Sequence, residues 1–323
     1  MSAGKQQDLM KMKYIFGPVS SRRLGHSLGI DPFTVKTCNY NCIYCEVGPS
    51  PPVPCQRLEY TPVSEIINEI SAFVAADFYG RDVDVCTISG SGEPTLHSGL
   101  GRLIGYIKEN VGRPVVVLTN GSLFYRNDVR EDLAAADIVI PSLDSARADS
   151  FRRINRPGPG LNLEEMIEGL ARFKKAFAGE LWLETLFVQG INDSEEDIAA
   201  LREAAARIAP DRIQLNSVAR PPSESYALPL DVEGLEAIGR LLPGQVDIIG
   251  GVKKGKARGR NEADKDEILR LLQRRPCTAE DICDALNLTP SAAEKELINL
   301  KMEGQLKISR HGGGIYFSSH RQE

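Results

Sequence analysis

The stretch CNYNCIYC, from Cys38 to Cys45, places three cysteines within eight residues. It directly follows residues 27–36, whose apolar residues predict a strand. Three thiolates at spacings of four and three residues can bind three irons of a cubane iron–sulfur cluster from one loop, which leaves the fourth iron without a protein ligand. The spacing therefore predicts a metal centre with Cys38, Cys42 and Cys45 as its ligands.

Zinc is the alternative occupant of these cysteines. A structural zinc site is closed by four ligands, and the nearby fourth thiol is Cys55, beyond a proline-rich loop. The chain has seven cysteines, an odd number, and the clustering of three of them disfavours a disulfide framework. The pattern favours the iron–sulfur cluster over zinc.

A second motif, SGSGEP from Ser89 to Pro94, follows the next predicted strand. Gly90 and Gly92 would free a sheet edge from side chains, and the Glu93 carboxylate could accept hydrogen bonds from an ammonium group. The motif differs from a dinucleotide-binding turn, because Thr95 stands where the third glycine is needed.

Apolar, β-branched runs alternate with amphipathic stretches over about the first 250 residues, which predicts an α/β fold with a parallel sheet. A barrel and a doubly wound sheet both fit this alternation. The predicted strands cover residues 27–36, 83–89, 114–119, 138–143, 181–188 and 212–216. The predicted helices include residues 63–76, 162–177 and 194–208, and Ser194 reads as the N-cap of the last.

Residues 253–260, KKGKARGR, predict a basic linker, although Gly250 to Ala257 superficially resembles a phosphate-binding loop. Helices near residues 263–273, 279–286 and 291–303 are predicted beyond it, followed by strands at 305–309 and 314–318. This order resembles a winged helix-turn-helix domain, with Thr289 as the cap of the recognition helix and Arg310 and His311 at the wing tip. The predicted domains are therefore residues 14–251, a linker at 252–261 and a small domain at 262–320. Such domains bind nucleic acid or protein, and the acidic residues of the recognition helix leave both open.

The cysteine and glycine motifs, in this order on successive βα units, resemble the radical S-adenosylmethionine (radical SAM) superfamily. Residues 14–19, 21–25, 36–38 and 41–45 are similar more narrowly to its wyosine-synthesis-like branch, the tRNA 4-demethylwyosine synthase-like proteins. The resemblance implies a partial (βα)6 TIM-like barrel whose active site lies at the C-terminal ends of the strands.

The resemblance also implies two cofactors, a [4Fe-4S] cluster and S-adenosyl-L-methionine. The cluster's unique iron would take the amino and carboxylate groups of S-adenosylmethionine, Glu93 with Gly90 and Gly92 would hold its ammonium group, and Tyr44 would contact adenine. Further positions that match cofactor-lining residues of the family are Thr119, Asn120, Ser142, Val188 and Asn216.

The reaction implied by the resemblance is reductive cleavage to a 5′-deoxyadenosyl radical, which takes a hydrogen atom from a substrate. Whether the enzyme is a transferase, a lyase or an oxidoreductase stays open. Electrons are expected from an external donor of flavodoxin or ferredoxin type. Arg152, Arg153 and Arg156 follow the fourth predicted strand and could bind an anionic substrate, with nucleotide or tRNA as the leading expectation. The alternative is that these arginines lie on a solvated helix end.

Composition narrows the class of protein further. Hydrophobic content of 42% and charged content of 26% predict a globular chain, and the absence of a long apolar stretch predicts a soluble cytoplasmic protein with no membrane partner. Two other functions fit the motifs. One is an iron–sulfur or zinc sensor that binds DNA through the winged helix, and the other is a radical SAM enzyme that modifies a peptide or protein.

Overall fold

The structure is a computed structural model that describes residues 12–21, 23–75, 83–249, 260–261 and 263–319. Eight strands within these residues form one sheet in chain order. They are β1 (Ile15–Ser21), β2 (Gly25–Ile30), β3 (Val85–Ile88), β4 (Val115–Thr119), β5 (Ile138–Pro141), β6 (Glu180–Phe187), β7 (Arg212–Ser217) and β8 (Val246–Ile248).

Strands β2 to β8 run parallel to one another, and β1 pairs with β2 in antiparallel orientation. This mostly parallel sheet with helical crossovers confirms the predicted α/β class and the partial TIM-like barrel. All six predicted strands are present, with β1 and β8 in addition. Pro18 interrupts the sequence pattern of β1. It has no N–H to donate to the sheet, and the β1–β2 register shifts between Phe16 and Val19.

The crossover helices begin where the sequence offers capping groups. Ser194 accepts a hydrogen bond from the Asp197 N–H, and Asn162 accepts from the N–H groups of Glu164 and Glu165, so each cap satisfies otherwise free donors. The helices of the barrel are α1 (Val63–Ala75), α2 (Leu100–Asn110), α3 (Asn127–Leu133), α4 (Ala148–Asn155), α5 (Leu163–Ala176), α6 (Glu195–Ile208) and α7 (Val232–Gly239). A 3₁₀ turn at Pro94–Leu96 follows the glycine-rich motif.

The central strands are buried on both faces. All four residues of β3 are buried, and Val115, Val116 and Val117 of β4 have no exposed area. A continuous apolar run fits a strand whose outer face is covered by helices and whose inner face packs inside the barrel. Burial of these aliphatic side chains stabilises the sheet by roughly 1.5–3 kcal/mol each.

Residues 263–319, here called the C-terminal unit, contain helices α8 (Lys265–Arg274), α9 (Ala279–Leu286) and α10 (Pro290–Met302) and a hairpin of β9 (Leu306–His311) and β10 (Gly314–Ser319). The unit has its own apolar core, which includes Ile268, Ile282 and Leu300. Thr278 and Asp281 form a capping box at the start of α9. Thr289 is the N-cap residue of α10, although its side chain makes no capping hydrogen bond. The order of elements agrees with the predicted one, and the winged-helix assignment stays a prediction.

The C-terminal unit contacts the barrel at several points. Val19 of β1 packs against its apolar core, and the Tyr316 hydroxyl donates a 2.8 Å hydrogen bond to the Ala219 carbonyl beyond β7. His311 at the hairpin tip lies 3.5 Å from the Val218 carbonyl. The predicted linker and the phosphate-loop-like stretch fall almost entirely in residues 250–259, outside the described residues, so the domain boundaries stay predictions. Within the described residues, no helix combines the length and the apolar character that crossing a membrane requires.

Candidate functional site

A cavity of about 470 Å³ lies at the C-terminal ends of the parallel strands. The ends of parallel strands meet at one edge of the sheet, so residues that follow different strands come together there. The cavity brings together residues from the loops after β2, β3, β4 and β5. Those predicted from the sequence are Cys38, Tyr44, Gly90, Gly92, Glu93, Thr119, Asn120 and Ser142.

The cysteine loop is held in place by backbone hydrogen bonds. The Ile43 N–H donates to the Ile154 carbonyl at 3.0 Å, and the Cys45 N–H donates to the Cys42 carbonyl at 3.2 Å. The Ser223 hydroxyl donates to the Cys45 carbonyl at 2.9 Å. The loop is thus fixed from α4 on one side and from the segment after β7 on the other.

The three thiols are neighbours of one another and are free of disulfides. Burial, together with the charges of Glu93 and Cys45, raises the pKa of Cys38 to about 12. Burial, Asp144 and the other two thiols raise the pKa of Cys42. Thiols of this kind stay protonated in the absence of a metal, so binding of cluster iron would release their protons.

Two amide side chains point at these sulfurs. Asn120 Nδ2 lies 3.6 Å from Cys38 Sγ, and Asn155 Nδ2 lies 3.4 Å from Cys42 Sγ. Hydrogen bonds to thiolate sulfur are one of the means by which proteins tune an iron–sulfur cluster. The donor set therefore fits a cluster better than three unrelated thiols.

Among the described residues, no three His, Cys, Asp or Glu side chains converge as the ligands of one metal ion do. The thiolates of a cubane cluster bind different irons and need not converge on a single point. Cys38, Cys42 and Cys45 can therefore serve as ligands of a cubane cluster without converging on one point.

The glycine-rich edge runs beside the chain that leads to Cys38. The Thr37 N–H donates to the Ser91 carbonyl, and the Glu93 N–H donates to the Thr37 carbonyl. A Cβ on Gly92 would lie 2.1 Å from the Thr37 carbonyl oxygen. Gly90 has φ +133°, and a Cβ there would lie 2.3 Å from Asp31 Cγ. Only glycine fits at these two positions, which leaves the backbone of the edge open toward the cavity.

Glu93 is 2% exposed and heavily hydrogen-bonded. Its Oε1 accepts from the Thr95 N–H, the Thr95 hydroxyl and the Thr119 hydroxyl, and its Oε2 accepts from the Asn120 N–H at 2.6 Å. Burial raises the pKa of Glu93, while these hydrogen bonds lower it. Because Oε1 already has three donors, Oε2 is the oxygen with capacity for a further donor.

Tyr44 belongs to a buried network with Asp144 and Asn155, of which the sequence did not single out Asn155. Its hydroxyl donates to Asp144 Oδ2, which also accepts from Asn155 Nδ2 at 2.6 Å, while Oδ1 accepts from the Leu186 N–H. Burial raises the pKa of Asp144 to about 6. Asn155 thus bridges Asp144 and Cys42.

The cavity lining does not include the predicted cofactor positions Val188 and Asn216, nor the predicted cluster ligands Cys42 and Cys45. The Val188 side chain is fully buried in an apolar cluster with Ile43 and Ile154. Asn216 is 8% exposed, and its Oδ1 accepts from the Ser217 N–H. Ser142 does line the cavity, and it bridges to Glu184 on the neighbouring strand.

The structure does not bring the three predicted substrate arginines into the cavity lining. Arg152 and Arg153 are exposed on α4, where Arg152 pairs with Asp149 and Arg153 reaches the Gly190 carbonyl. Arg156 pairs with Glu224 and donates to the Tyr226 hydroxyl. The buried face of α4 carries Phe151 and Ile154, and this spacing, visible in the sequence, puts the first two arginines on the opposite face.

Other arginines line the cavity instead. Arg23 and Arg220 come from the barrel side, and Arg274 and Arg275 come from the end of α8. Arg23 pairs with Glu184 at 2.6 Å, and Arg220 lies 3.3 Å from Glu46 and 3.6 Å from Asp281. Arg22, which precedes Arg23 in the chain, lies outside the described residues.

Comparison with known proteins bears on this site. The sequence model of the radical SAM superfamily matches residues 33–202, which include the cysteine loop and the glycine-rich edge. The chain is 32% identical to a UPF0026 protein of Methanocaldococcus jannaschii over 314 residues, covering 95% of this chain and 96% of that protein. It is 36% identical over 311 residues to a protein of Brachyspira hyodysenteriae named GTPase Obg, covering 95% of this chain but only 45% of that relative's length.

Among solved structures, TYW1 with a lysine–pyruvate adduct bound matches with a TM-score of 0.52 and 22% identity, over 74% of this chain and 80% of that one. At this identity the likeness is one of fold. It agrees with the partial barrel described above.

Proposed function

Because this chain belongs to the radical SAM superfamily, whose members use a [4Fe-4S] cluster and S-adenosylmethionine, we propose that it cleaves S-adenosylmethionine reductively and abstracts a hydrogen atom from an anionic substrate. The observation that carries the proposal is one cavity lined by Cys38, Glu93 and Tyr44. The cysteine loop, the glycine-rich edge and the end of β5 meet there, as the proposed cofactor pair requires.

The cluster, when bound and reduced, supplies the electron that cleaves the sulfonium bond of S-adenosylmethionine. Cys38, Cys42 and Cys45 would hold three of its irons, and the amides of Asn120 and Asn155 would donate to the thiolate sulfurs. Glu93 Oε2 would accept from the methionine ammonium beside Gly90 and Gly92. Tyr44 and Ser142 would flank the adenosine part.

The substrate class is the finer part of the proposal. Two cavity-lining arginines at the end of α8, Arg274 and Arg275, favour an anionic substrate, because guanidinium groups bind phosphate and carboxylate in bidentate fashion. A nucleotide or a tRNA is the proposed class, and an external flavodoxin or ferredoxin is the proposed electron donor.

The position of the hairpin in the C-terminal unit disfavours the alternative of a regulator that binds DNA. The proposed wing residue His311 contacts the Val218 carbonyl, and Tyr316 on the other strand of the hairpin contacts the Ala219 carbonyl. A hairpin that packs on the barrel would have to leave it before entering a DNA groove.

The test is the effect of candidate substrates on release of 5′-deoxyadenosine by anaerobically reconstituted protein. Bulk tRNA, a nucleotide mixture and a mixture of peptides are added separately, and the rate is measured by mass spectrometry. The proposal predicts stimulation by tRNA or nucleotides. Stimulation by peptides alone would replace it with the peptide-modifying alternative.

A further inference from the structure

The C-terminal unit forms one wall of the reaction cavity. Its contribution comes from the end of α8 and from α9, through Leu271, Arg274, Arg275, Asp281 and Asp284. The same lining includes Cys38, Glu93 and Asn120. A substrate in this cavity would therefore be adjacent to both the proposed cofactor site and the C-terminal unit.

Charge on the barrel side of the cavity is already compensated within the protein. Arg23 pairs with Glu184, and Arg220, 7% exposed, lies between Glu46 and Asp281. These two arginines and their carboxylates neutralise one another, so they have little attraction left for a further anion.

Charge at the end of α8 is not compensated in this way. Arg275 is one of the cavity-lining residues, and its side chain has no hydrogen bond or ion pair with any residue in the described ranges. Arg274 lies 4.5 Å from the Phe16 ring and donates to the carbonyls of Lys13 and Arg270. Its nearest carboxylate oxygen, Asp31 Oδ2, is 3.9 Å from Nε and already accepts two hydrogen bonds from Ser91.

Arg274 Nε and Arg220 Nε are both buried and lack a hydrogen-bond partner among the residues described. Arg220 has two carboxylates at 3.3 and 3.6 Å, whereas Arg274 has one at 3.9 Å. A buried donor of a charged group without a partner is destabilising, and an anionic acceptor would relieve that cost. Burial lowers the pKa of Arg274, the direction expected for a cation whose charge is incompletely compensated. Three of the four lining carboxylates in the described part of the chain, Glu46, Glu93 and Asp281, already have hydrogen-bond or ion-pair partners. Asp284 on α9 is the fourth lining carboxylate.

We propose that Arg275, with Arg274 beside it, forms the subsite for an oxyanion group of the substrate, a phosphate or a carboxylate, so that the C-terminal unit takes part in substrate binding. This inference deepens the proposed function and rests on it. It assigns the anionic group to the end of α8, rather than to the α4 arginines expected from the sequence.

The test is calorimetric titration of the reconstituted holoenzyme, with its cluster oxidised and with saturating S-adenosylmethionine. Saturation fills the cofactor's own carboxylate site and the oxidised cluster prevents turnover. Inorganic pyrophosphate and succinate are titrated separately as probes. The wild type is expected to bind at least one of them, and a preference between them identifies the oxyanion as phosphate or carboxylate.

Arg275→Ala is expected to weaken probe binding at least tenfold, and Arg275→Lys, which keeps the charge but not the bidentate geometry, is expected to fall between. Arg152→Ala is the matched control and is expected to bind as the wild type does, because Arg152 is exposed and pairs with Asp149. Circular dichroism and cluster absorbance confirm folding, and Arg275→Gln replaces the alanine variant if that one is unstable.

Wild-type protein that binds neither probe at millimolar concentration overturns the inference, as does Arg275→Ala with wild-type affinity. Release of 5′-deoxyadenosine by the wild type is measured in parallel. Its absence counts against the proposed function, whereas its presence together with unchanged probe binding in Arg275→Ala counts against the α8 subsite alone.

Discussion

The Tyr44 hydroxyl donates a 2.5 Å hydrogen bond to Asp144 Oδ2, which joins the cysteine loop to the segment that follows β5. Asp144 is 3% exposed, and it also accepts from Asn155, whose amide reaches Cys42 Sγ. The position of the cysteine loop thus depends on a buried polar network as well as on backbone contacts. Such a network is stabilising only while each of its members is satisfied.

Tyr44→Phe removes one donor from this network and leaves a buried carboxylate oxygen with fewer partners. We expect the free energy of unfolding to fall by roughly 1–3 kcal/mol, measured by urea denaturation. Tyr226→Phe is the control, since Tyr226 is 50% exposed and its loss should change stability by about 0.5 kcal/mol or less. Equal effects of the two substitutions would contradict the structural role of the Tyr44–Asp144 bond.

Asp144 should make stability depend on pH. Burial raises its pKa from the ordinary 3.8 to about 6, so the folded state binds this proton more tightly than the unfolded state does. The resulting stabilisation is full below about pH 4 and is lost as pH rises through 6, with a total of about 3 kcal/mol. Urea unfolding of metal-free protein from pH 4 to 8 should show this decline in the wild type and a flatter profile in Asp144→Asn. Parallel profiles would show that Asp144 does not titrate in this range.

Gly92→Ala tests the glycine-rich edge. The added Cβ would meet the Thr37 carbonyl oxygen at 2.1 Å, so the edge must shift. We expect the free energy of unfolding, measured by urea denaturation, to fall by roughly 1–3 kcal/mol and the binding of S-adenosylmethionine to weaken. Gly105→Ala is the matched control, because Gly105 lies in α2 with no neighbouring atom within 4 Å. That change should be neutral or stabilise by up to about 1 kcal/mol. If Gly92→Ala matches Gly105→Ala in both the free energy of unfolding and the affinity for S-adenosylmethionine, the close approach of residue 92 to Thr37 matters for neither.

Asn155→Ala tests the amide that points at Cys42 Sγ. A hydrogen bond to a cluster thiolate stabilises the more negative, reduced state, so its removal should make the reduction potential of the bound cluster more negative by roughly 20–60 mV. Redox titration followed by electron paramagnetic resonance measures the shift, and Asn127→Ala, on the surface beside Glu131, is the control. An unchanged or less negative potential in Asn155→Ala would contradict this role.

The sheet and the cysteine loop could be predicted because local signals carry them. Buried parallel strands such as β4 are continuous β-branched runs, and the cysteine spacing is a short motif. Strand β1 was not predicted, since Pro18 interrupts its pattern. The wall formed by Arg274 and Arg275 could not be predicted, because their positions depend on packing between segments more than 200 residues apart in the chain.

Asn155 and the α4 arginines show a different limit. The prediction drew on the charge of Arg152 and Arg153, whereas the periodicity of Phe151 and Ile154 determines which face of the helix is buried. Asn155 shares that buried face and reaches Cys42, so the same periodicity could have identified it.

The most direct test of the central claim is mass-spectrometric measurement of 5′-deoxyadenosine from anaerobically reconstituted protein with S-adenosylmethionine and a reductant. The wild type and Cys55→Ala are expected to form it, because Cys55 lies outside the proposed cluster ligands, whereas Cys42→Ala is expected to form none. Wild-type protein that holds a reducible iron–sulfur cluster but forms no 5′-deoxyadenosine would contradict the account, as would equal formation by Cys42→Ala.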